Sequence, residues 1–591
     1  MGWGRVAAMT ASLVGAMTLA AGSAAAQTSP AQTLHKVLAD YDAYLDRNDP
    51  LGAGQRGDMA QAALWPDDSP AAEARRNQDN LDFKARLDAI PATALTGEDA
   101  LNRELLEARL ALDIQGAAFD EDRIPFTNDE GFFLTPSYAA DGTIIHNEAE
   151  AKAWLHRIAT LPAYYDLEIA NMRRGIATGF TSPRLTAQTC AKATRAQADL
   201  PAAQSPLLQP FDNLPPAMAG ERAALRAQAL ALIVADVKPA EARLAAFFAN
   251  EYLPKARESL SASSLPNGRA YYQYRVRVET SSDLTPDQIF ALGESEIARI
   301  RKAMDVEIAA SGFHGTFREF QDKLRTDPQF YVTSREALLE KASRLAKRID
   351  DKLPAFFGKL PRLSYGVREV PRAIEDGYTS GRYFPGSPEQ GVAGGLMINT
   401  SHLDQRPLYE LPALVSHEGA PGHHIQIALA QEQTGVPEFR RDDDNTAFVE
   451  GWALYSEQLT KEMGLYETPY DRFGLLSMEM WRACRLVMDV GIHWKGWTRD
   501  QAVACLKDNS ALADKNIQNE TDRYIGWPGQ ALGYKIGQLK IEQLRDEARA
   551  ALGPKFDYRR FHDVVLDEGV MPLNVLDRRV HAWIEAEKAR P

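Results

Sequence analysis

The sequence predicts a mainly α-helical protein with one small β-sheet. Apolar residues recur every three to four positions over most of its 591 residues, which is the period of an amphipathic helix. Segments with the alternating, β-branched character of strands are short and fall between residues 268 and 400. A stretch with three histidines and a glutamate, residues 417–424, follows soon after the last of them. We therefore expect the sheet to lie beside the helix that carries this stretch.

The N-terminus has the features of a secretory signal peptide. A short basic segment containing Arg5 precedes the apolar residues 6–21, and Ala24-Ala25-Ala26 provides a cleavage site. No cysteine lies near that site, which argues against lipid attachment. We expect residues 1–26 to be removed and the mature protein to be exported to the periplasm. We expect no membrane segment after that, because no later stretch has the roughly 18 uninterrupted apolar residues of a membrane span.

Charge and cysteine content limit the possible functions. The net charge of -14, with no basic stripe, excludes binding to a nucleic-acid backbone. Three cysteines, Cys190, Cys484 and Cys505, allow at most one disulfide. A Cys484–Cys505 bond is one alternative, but a chain of this size does not need it for stability, and we expect buried thiols.

The first part of the mature chain, residues 27–265, is predicted to be an N-terminal helical region. Helical spacing extends from Gln27 to about Ile114, and a loop containing Gly, Asp and Pro covers 115–146. Pro162 falls inside the next predicted helix, where a kink is expected. The helices expected here cover about 148–176 and 217–260, with a proline-rich break at 201–216.

The second part, residues 266–591, is predicted to be a C-terminal region that carries the catalytic site. Residues 268–278 alternate and are aromatic and β-branched, which is typical of a strand, and shorter strands are expected near 363–367 and 393–400. Thr285-Pro286-Asp287 is a helix start signal. Helices are expected over about 285–311, 334–357, 408–432, 445–463, 468–493, 499–509, 528–550 and 573–588.

The histidine-rich stretch has an unusual spacing for a metal site. In the common zinc-peptidase pattern, H-E-x-x-H, two histidines lie one helical turn apart and the glutamate is the general base. Here His417 and His423 would lie about 240° apart around an unbroken helix, and His417 and His424 about 10 Å apart along it. Neither pair could share a metal unless the helix is interrupted. The Gly-Ala-Pro-Gly sequence at 419–422 favours such an interruption.

A third metal ligand has to come from another segment. Glu450 is the best candidate, because it lies beside Val449 and Trp452 on a predicted helix. A carboxylate among apolar residues is unusual unless it is paired or bound to a metal. A salt-bridged helix face is the alternative, and Glu457 lies two turns further along that face.

Three ordered motifs resemble domain-of-unknown-function family 885, a group of bacterial and often exported proteins. The resemblance covers most of the mature chain and is clearest from about residue 270 onward. The Phe-Val-Glu sequence that ends at Glu450 is also similar to thimet oligopeptidase, with carboxypeptidase Taq and angiotensin-converting enzyme as more distant helical relatives. The motifs are His-Glu-x-x-Pro-Gly-His-His-x-Gln at 417–426, Glu-Gly-Trp-Ala-x-Tyr-x-Glu at 450–457 and Trp-Pro-Gly-Gln-Ala-x-x-Tyr-Lys-Ile-Gly at 527–537.

The resemblance implies a large helical zinc-peptidase-like fold with a central cleft, and it implies metal ligands. Alignment with the oligopeptidase motif makes His417, His423 and Glu450 the ligands of Zn²⁺. Two extra residues in the first motif leave His424 as an alternative to His423. Glu418 would then act as general base on the zinc-bound water.

Two further residues are candidates for catalytic roles. By resemblance, Tyr534 in the C-terminal Gly-Tyr segment would stabilise the oxyanion of a tetrahedral intermediate, with a packed core tyrosine as the alternative. His493 follows Arg485 and Asp489 at intervals of four on one helix face, which makes it a candidate for substrate contact. A structural ion pair is the alternative there.

The sequence therefore predicts an exported zinc-dependent metallopeptidase that hydrolyses short or unfolded peptides. The strand at 394–400 could bind a peptide along an exposed sheet edge, with an ordinary core strand as the alternative. Arg382, Arg485 or Lys535 could hold a substrate carboxylate. A zinc hydrolase of a non-peptide amide and a non-catalytic helical metal-binding protein are alternatives. Endo- or exopeptidase action, substrate preference and oligomeric state are left open.

Overall fold

The computed structural model describes residues 29–128, 130–372, 375, 378–388, 391–441 and 443–590. The expected signal peptide, residues 1–26, lies outside the described residues. Within them the mainly α-helical class is confirmed. The described part of the chain contains no helix that is both long and apolar enough to cross a membrane.

Ten helices lie before residue 250 in the described part of the chain. The predicted helix at 148–176 is confirmed as one continuous helix, and Pro162 lies inside it. The predicted loop at 115–146 contains one short helix that the sequence did not indicate. These helices are α1 (Pro30–Asn48), α2 (Pro50–Gln55), α3 (Pro70–Asp88), α4 (Gly97–Gly116), α5 (Thr135–Asp141), α6 (Glu148–Thr178), α7 (Arg184–Asp199), α8 (Gln209–Asp212), α9 (Arg222–Leu232) and α10 (Lys238–Phe247).

The helices after residue 265 follow the predicted pattern closely. The second of them begins at the predicted signal, because the Thr285 hydroxyl accepts from the Gln288 N–H and Gln288 reaches back to the Thr285 N–H. They are α11 (Gly268–Thr280), α12 (Pro286–Ala310), α13 (Phe317–Thr326), α14 (Arg335–Asp350), α15 (Leu353–Phe356), α16 (Leu411–Glu418), α17 (His423–Gln431), α18 (Glu438–Arg441), α19 (Thr446–Glu462), α20 (Pro469–His493), α21 (Arg499–Asn509), α22 (Asp514–Gly526), α23 (Gln530–Leu552), α24 (Tyr558–Leu566) and α25 (Leu573–Ala589).

The predicted strand at 268–278 is wrong, because this segment forms helix α11. Tyr272, Val276 and Thr280 are four residues apart and buried on one helix face. Aromatic and β-branched residues favour strands only weakly, and packing against neighbouring elements overrides that preference here. Helices α13, α18, α22 and α24 were also missed.

The sheet has three strands in the order β1-β3-β2, where β1 is Tyr365–Glu369, β2 is Gly381–Phe384 and β3 is Gly394–Ile398. Strand β1 pairs with β3 in parallel, and β2 pairs with β3 antiparallel. The two short predicted strands are confirmed, and β2 was missed. Residues 394–400 are not a free edge but a core strand, since β3 is central and β1 and β2 form the two edges.

The buried apolar residues form two clusters. The larger contains residues of α1, α3, α4 and the helices from α11 onward, and the smaller contains residues between Phe126 and Ala256. The proposed division of the chain at residue 265 stays a prediction. The clusters divide the chain differently, because helices α1, α3 and α4 share their core with the C-terminal part.

The cysteine expectation is wrong. Cys484 on α20 and Cys505 on α21 form a disulfide, with their Cα atoms 5.9 Å apart. Cys190 is buried, and its Sγ lies 3.0 Å from the Thr127 carbonyl oxygen.

Helices α19 and α23 pack with almost no space between their backbones. A Cβ atom added to Gly537 of α23 would lie 1.7 Å from the Ala447 carbonyl oxygen and 2.7 Å from the Gly451 Cα atom of α19. A Cβ atom at Gly533, one turn earlier, would lie 2.6 Å from the Glu279 carbonyl oxygen of α11. Only glycine allows these approaches, so these positions fix how α19 lies against α23.

We predict that Gly537→Ala destabilises the protein by ~1–3 kcal/mol, because the helices must move apart. Helix propensity alone would have the opposite effect, a stabilisation of about 1 kcal/mol. Urea denaturation monitored by circular dichroism measures the difference. Gly220→Ala is the control, because no atom lies within 4 Å of its added Cβ. Equal stabilities for the two variants would contradict a fixed α19–α23 contact.

Candidate metal centre

The chain turns sharply between His417 and His423, as the Gly-Ala-Pro-Gly sequence predicted. Helix α16 ends at Glu418 and α17 begins at His423, so the predicted single helix over 408–432 is interrupted. The Gly422 N–H donates to the Ser416 carbonyl (3.0 Å), and a Cβ at Gly422 would lie 2.0 Å from the His417 carbonyl oxygen. The turn therefore requires glycine at this position.

The interruption brings three predicted ligands together. His417 Nε2 lies 3.4 Å from Glu450 Oε2, and His423 Nε2 lies 3.5 Å from the same oxygen. One ligand atom from each of the three residues lies within 4.8 Å of the other two, and this is the one such His/Cys/Asp/Glu group in the described residues. Glu450 enters from α19, which packs against both α16 and α17.

The charges at this group suit a divalent cation. Glu450 Oε2 is buried and has no hydrogen-bond partner among the described residues. Burial raises the pKa of Glu450, but His417 and His423 outweigh it and hold the pKa well below its usual value. A buried carboxylate oxygen facing two imidazole nitrogens is a donor set that zinc accepts, and it leaves further coordination positions open. The Glu450 side chain is 20% exposed, so the group is accessible from solvent.

Glu457 orients His417. Its Oε1 atom lies 2.9 Å from His417 Nδ1, on the opposite side of the ring from Glu450, and Arg482 Nη2 lies 3.3 Å from the same oxygen. Burial lowers the pKa of His417, but the contacts with Glu450 and Glu457 outweigh burial and raise it to about 9. A carboxylate behind a metal-binding histidine is a common arrangement, because it fixes the ring and its tautomer.

His424 points away from the three-residue group. Its Nδ1 atom lies 3.0 Å from the Tyr383 hydroxyl, and its ring centroid is 4.4 Å from that of Tyr365. Burial lowers its pKa to about 4, which keeps the imidazole neutral. Of the two histidines that the sequence left open, the structure places His423 beside Glu450.

Glu418 lies at the end of α16 and contacts the sheet. Its Oε2 atom accepts the N–H of Tyr383 on strand β2 at 2.8 Å. The carboxylate is only partly buried, and its charge contributes to raising the pKa of His417. Nothing in the sequence pattern pointed to Tyr383, because β2 was not recognised as a strand.

Tyr534 lies on α23 near Glu450. Burial is the main cause that raises the pKa of Tyr534, and the negative charge of Glu450 is the second. The hydroxyl therefore remains protonated and able to donate a hydrogen bond. The guanidinium carbon of Arg485 lies 4.1 Å from the centre of the Tyr534 ring. Tyr534 is thus held from one side by α20 and remains partly exposed.

A polar cluster that the sequence did not indicate holds Arg485 in place. Arg485 Nε donates to the Tyr524 hydroxyl (2.7 Å), and Arg485 Nη2 lies 3.0 Å from Glu520 Oε2. Trp481 Nε1 donates to the same hydroxyl at 2.8 Å. Glu520 lies on α22, a helix that the sequence did not reveal, so this cluster could not be anticipated.

The structure does not bring His493 to the metal-binding group. His493 is fully buried, its Nδ1 accepts the Ala262 N–H at 3.1 Å and its Nε2 lies 2.8 Å from the Tyr524 carbonyl oxygen. Both ring nitrogens are bound to backbone, so its role is structural and the expected substrate contact is wrong. Asp489 likewise accepts from the Gly529 N–H and the Tyr272 hydroxyl.

The three candidates for holding a substrate carboxylate differ in accessibility. Lys535 is fully buried, with Nζ 2.8 Å from Glu479 and 3.0 Å from Glu296, so it is not available. Arg485 is buried against Tyr534. Arg382 is exposed on strand β2.

Comparison with known proteins identifies the family of this chain. The sequence pattern of the family described as "bacterial protein of unknown function (DUF885)" matches residues 50–580. The chain belongs to this family. No curated protein matches the chain.

Two solved structures resemble this member of the DUF885 family. One, described as a "putative lipoprotein" from Colwellia psychrerythraea, is 30% identical with a TM-score of 0.87, covering 94% of this chain and 100% of that one. Another, described as a "putative lipoprotein of unknown function" from Shewanella oneidensis, is 18% identical with a TM-score of 0.71, covering 93% and 99%. The second likeness shows the fold alone.

We predict that His423→Ala and His424→Ala have different effects on zinc binding. His423→Ala should weaken zinc binding by on the order of a hundredfold or more, because one of three donors is lost. His424→Ala should leave the affinity within about threefold, because this ring binds Tyr383 instead. Competition with a chromophoric chelator measures both. Equal losses for the two variants would contradict the arrangement of the donors.

We predict that Glu457→Gln weakens zinc binding about tenfold without removing a ligand, because the negative charge behind His417 is lost. Glu462→Gln on the same helix is the matched control, since Glu462 pairs with Arg545 at the surface. The same chelator competition applies, with circular dichroism to verify folding. An unchanged zinc affinity in Glu457→Gln would show that zinc binding does not depend on the negative charge behind His417.

Proposed function

We propose that this chain is an exported zinc-dependent metallopeptidase that hydrolyses peptide bonds of short or unfolded peptides. The observation that carries the proposal is the convergence of His417, His423 and Glu450, with an unpartnered buried carboxylate oxygen at its centre. When bound, zinc would supply a Lewis acid that polarises a carbonyl group and makes water more acidic.

Glu418 is assigned the proton transfers. It follows His417 directly in the chain, and the Tyr383 N–H fixes one of its oxygens. A carboxylate in this place can take a proton from water and deliver it to the leaving amine. The Tyr383 backbone N–H holds one oxygen of Glu418 in place, and the other oxygen stays free to accept a proton.

Tyr534 is assigned the stabilisation of the oxyanion. Its hydroxyl is protonated and lies near Glu450, and Arg485 stacked on its ring fixes the side chain. A hydroxyl donor that is positioned before the reaction stabilises developing negative charge without reorganisation.

The sheet edge supports a peptide as substrate. Strand β2 is one of the two edge strands, and its Tyr383 N–H faces Glu418. An extended peptide can add to such an edge through main-chain hydrogen bonds, which do not depend on its sequence. Phe384 on the same strand is 48% exposed and could contact a substrate side chain. Export is supported by the signal-like residues 1–26 and by the description of the 30% identical structure as a "putative lipoprotein".

We predict that the purified protein binds one zinc ion and cleaves unstructured peptides, and that Glu418→Gln retains the zinc but loses cleavage by at least about 100-fold. The reason is that glutamine cannot accept the proton of the attacking water. Metal analysis and mass-spectrometric detection of cleaved peptides measure the two effects. His424→Ala is the matched control, because it leaves the three candidate metal ligands unchanged.

Other outcomes separate the alternatives. Zinc-free protein that cleaves peptides as fast as the zinc-loaded protein would refute the proposal. Stoichiometric zinc with no cleavage of a peptide library would favour a non-peptide amide as substrate or a metal-binding protein without activity.

A further inference from the structure

A small cavity lies directly beside Glu418. It encloses about 70 Å³ between helix α16, the start of β2 and helix α20. Glu410, Leu414 and Glu418 line it at intervals of four along α16, so it runs along one face of that helix. Met478 and Arg482 of α20 form the opposite wall.

The cavity contains a positive and a negative group that do not pair with each other. Arg406 lines it, and its guanidinium donates to the Asn399 carbonyl (3.2 Å) and to the Ser380 hydroxyl (3.5 Å). Within the described residues, no carboxylate lies within the 4.0 Å ion-pair distance of Arg406. The Glu410 carboxyl makes no ion pair among those residues either, and its buried Oε1 has no hydrogen-bond partner.

The unpaired Glu410 oxygen is costly unless a ligand or water completes it. A buried hydrogen-bonding group without a partner costs about 1–3 kcal/mol. Burial raises the pKa of Glu410 to about 7 against the opposing charges of Arg406, Arg482 and Arg325. A ligand group that donates to Glu410 and accepts from Arg406 would satisfy both.

A carboxamide fits this requirement better than a charged, apolar or aromatic side chain. It carries two N–H donors and a carbonyl acceptor on one plane. A carboxylate would bind Arg406 but repel Glu410, an ammonium group would do the reverse, and an apolar group would leave both unsatisfied. A cavity of roughly 150 Å³ holds a benzene ring, so one of about 70 Å³ excludes aromatic side chains.

The cavity is linked to the candidate metal centre on two sides. Glu418, the assigned proton carrier, forms part of its lining. Arg482 in the opposite wall lies 3.3 Å from Glu457, which in turn lies 2.9 Å from His417. A substrate side chain in this cavity would therefore lie beside Glu418, the residue assigned the proton transfers.

We propose that this cavity, between Glu410 and Arg406, is a specificity subsite for the side chain of an asparagine or glutamine adjacent to the scissile bond. The proposal rests on the proposed peptidase function and adds the substrate class to it. Glu410 and Arg406 are specificity residues, since they contact the substrate side chain and not the reacting atoms.

The test uses two series of peptides that differ at one position. One series carries Gln, Glu or Met there, and the other carries Asn, Asp or Leu, so shape is nearly constant and only the polar group changes. The zinc-loaded wild type should cleave beside Gln or Asn with a kcat/KM at least about tenfold above that for the isosteres. In Glu410→Leu and in Arg406→Leu this ratio should fall below about three. In the surface variant Glu462→Gln it should remain.

A binding measurement separates this proposal from the proposed function. Calorimetric titration of the zinc-loaded Glu418→Gln variant with the same peptides needs no turnover. Tighter binding of the Gln or Asn peptides without hydrolysis by the wild type would support the subsite and overturn the peptidase assignment. Hydrolysis with equal kcat/KM for all isosteres would overturn the subsite and support the peptidase. Equal binding and no hydrolysis would overturn both.

Discussion

The close approach of Gly422 to the His417 carbonyl is the constraint on which the candidate site depends. A side chain there would lie 2.0 Å from that oxygen, so only glycine lets the chain reverse within four residues. The reversal is held from α19, where Trp452 Nε1 donates to the Pro421 carbonyl at 2.9 Å. Without the turn, His423 would lie on another face of a continuous helix and could not approach Glu450.

A second close contact brings the remaining site residues together. Helix α19 carries Glu450 and α23 carries Tyr534, and the two meet where Gly451 faces Gly537. The buried ion group of Lys535 with Glu479 and Glu296 ties α23 to α20 and α12 from the other side. Breaking such a buried group by removing one partner leaves an unpaired charge, which is far more costly than a surface pair.

The buried carboxylates around the site differ in their partners, and their partners decide their roles. Glu457 has His417 and Arg482 and serves to orient a ring. Glu450 faces two imidazoles and suits a cation. Glu410 has neither an ion pair nor a hydrogen bond at its buried oxygen, and this is why it is the group that a substrate can complete. Membership of the DUF885 family and the likeness to two solved structures establish the fold, whereas these local environments support the function.

The sequence by itself determined the mainly helical class, most helix positions after residue 285, the interruption between His417 and His423, and Glu450 as their partner. Periodicity and the glycine and proline residues are local signals, and they predict the helices and the interruption. Glu450 was predicted as a carboxylate among apolar residues and by resemblance to the oligopeptidase motif. The tertiary structure decided what local signals cannot: the helix at 268–280, the edge strand at Tyr383, the Cys484–Cys505 bond, the burial of His493 and the separation of His424 from the candidate metal-binding group. Each of these depends on which distant residues pack against the segment, because contacts between residues far apart in the chain leave no periodic pattern.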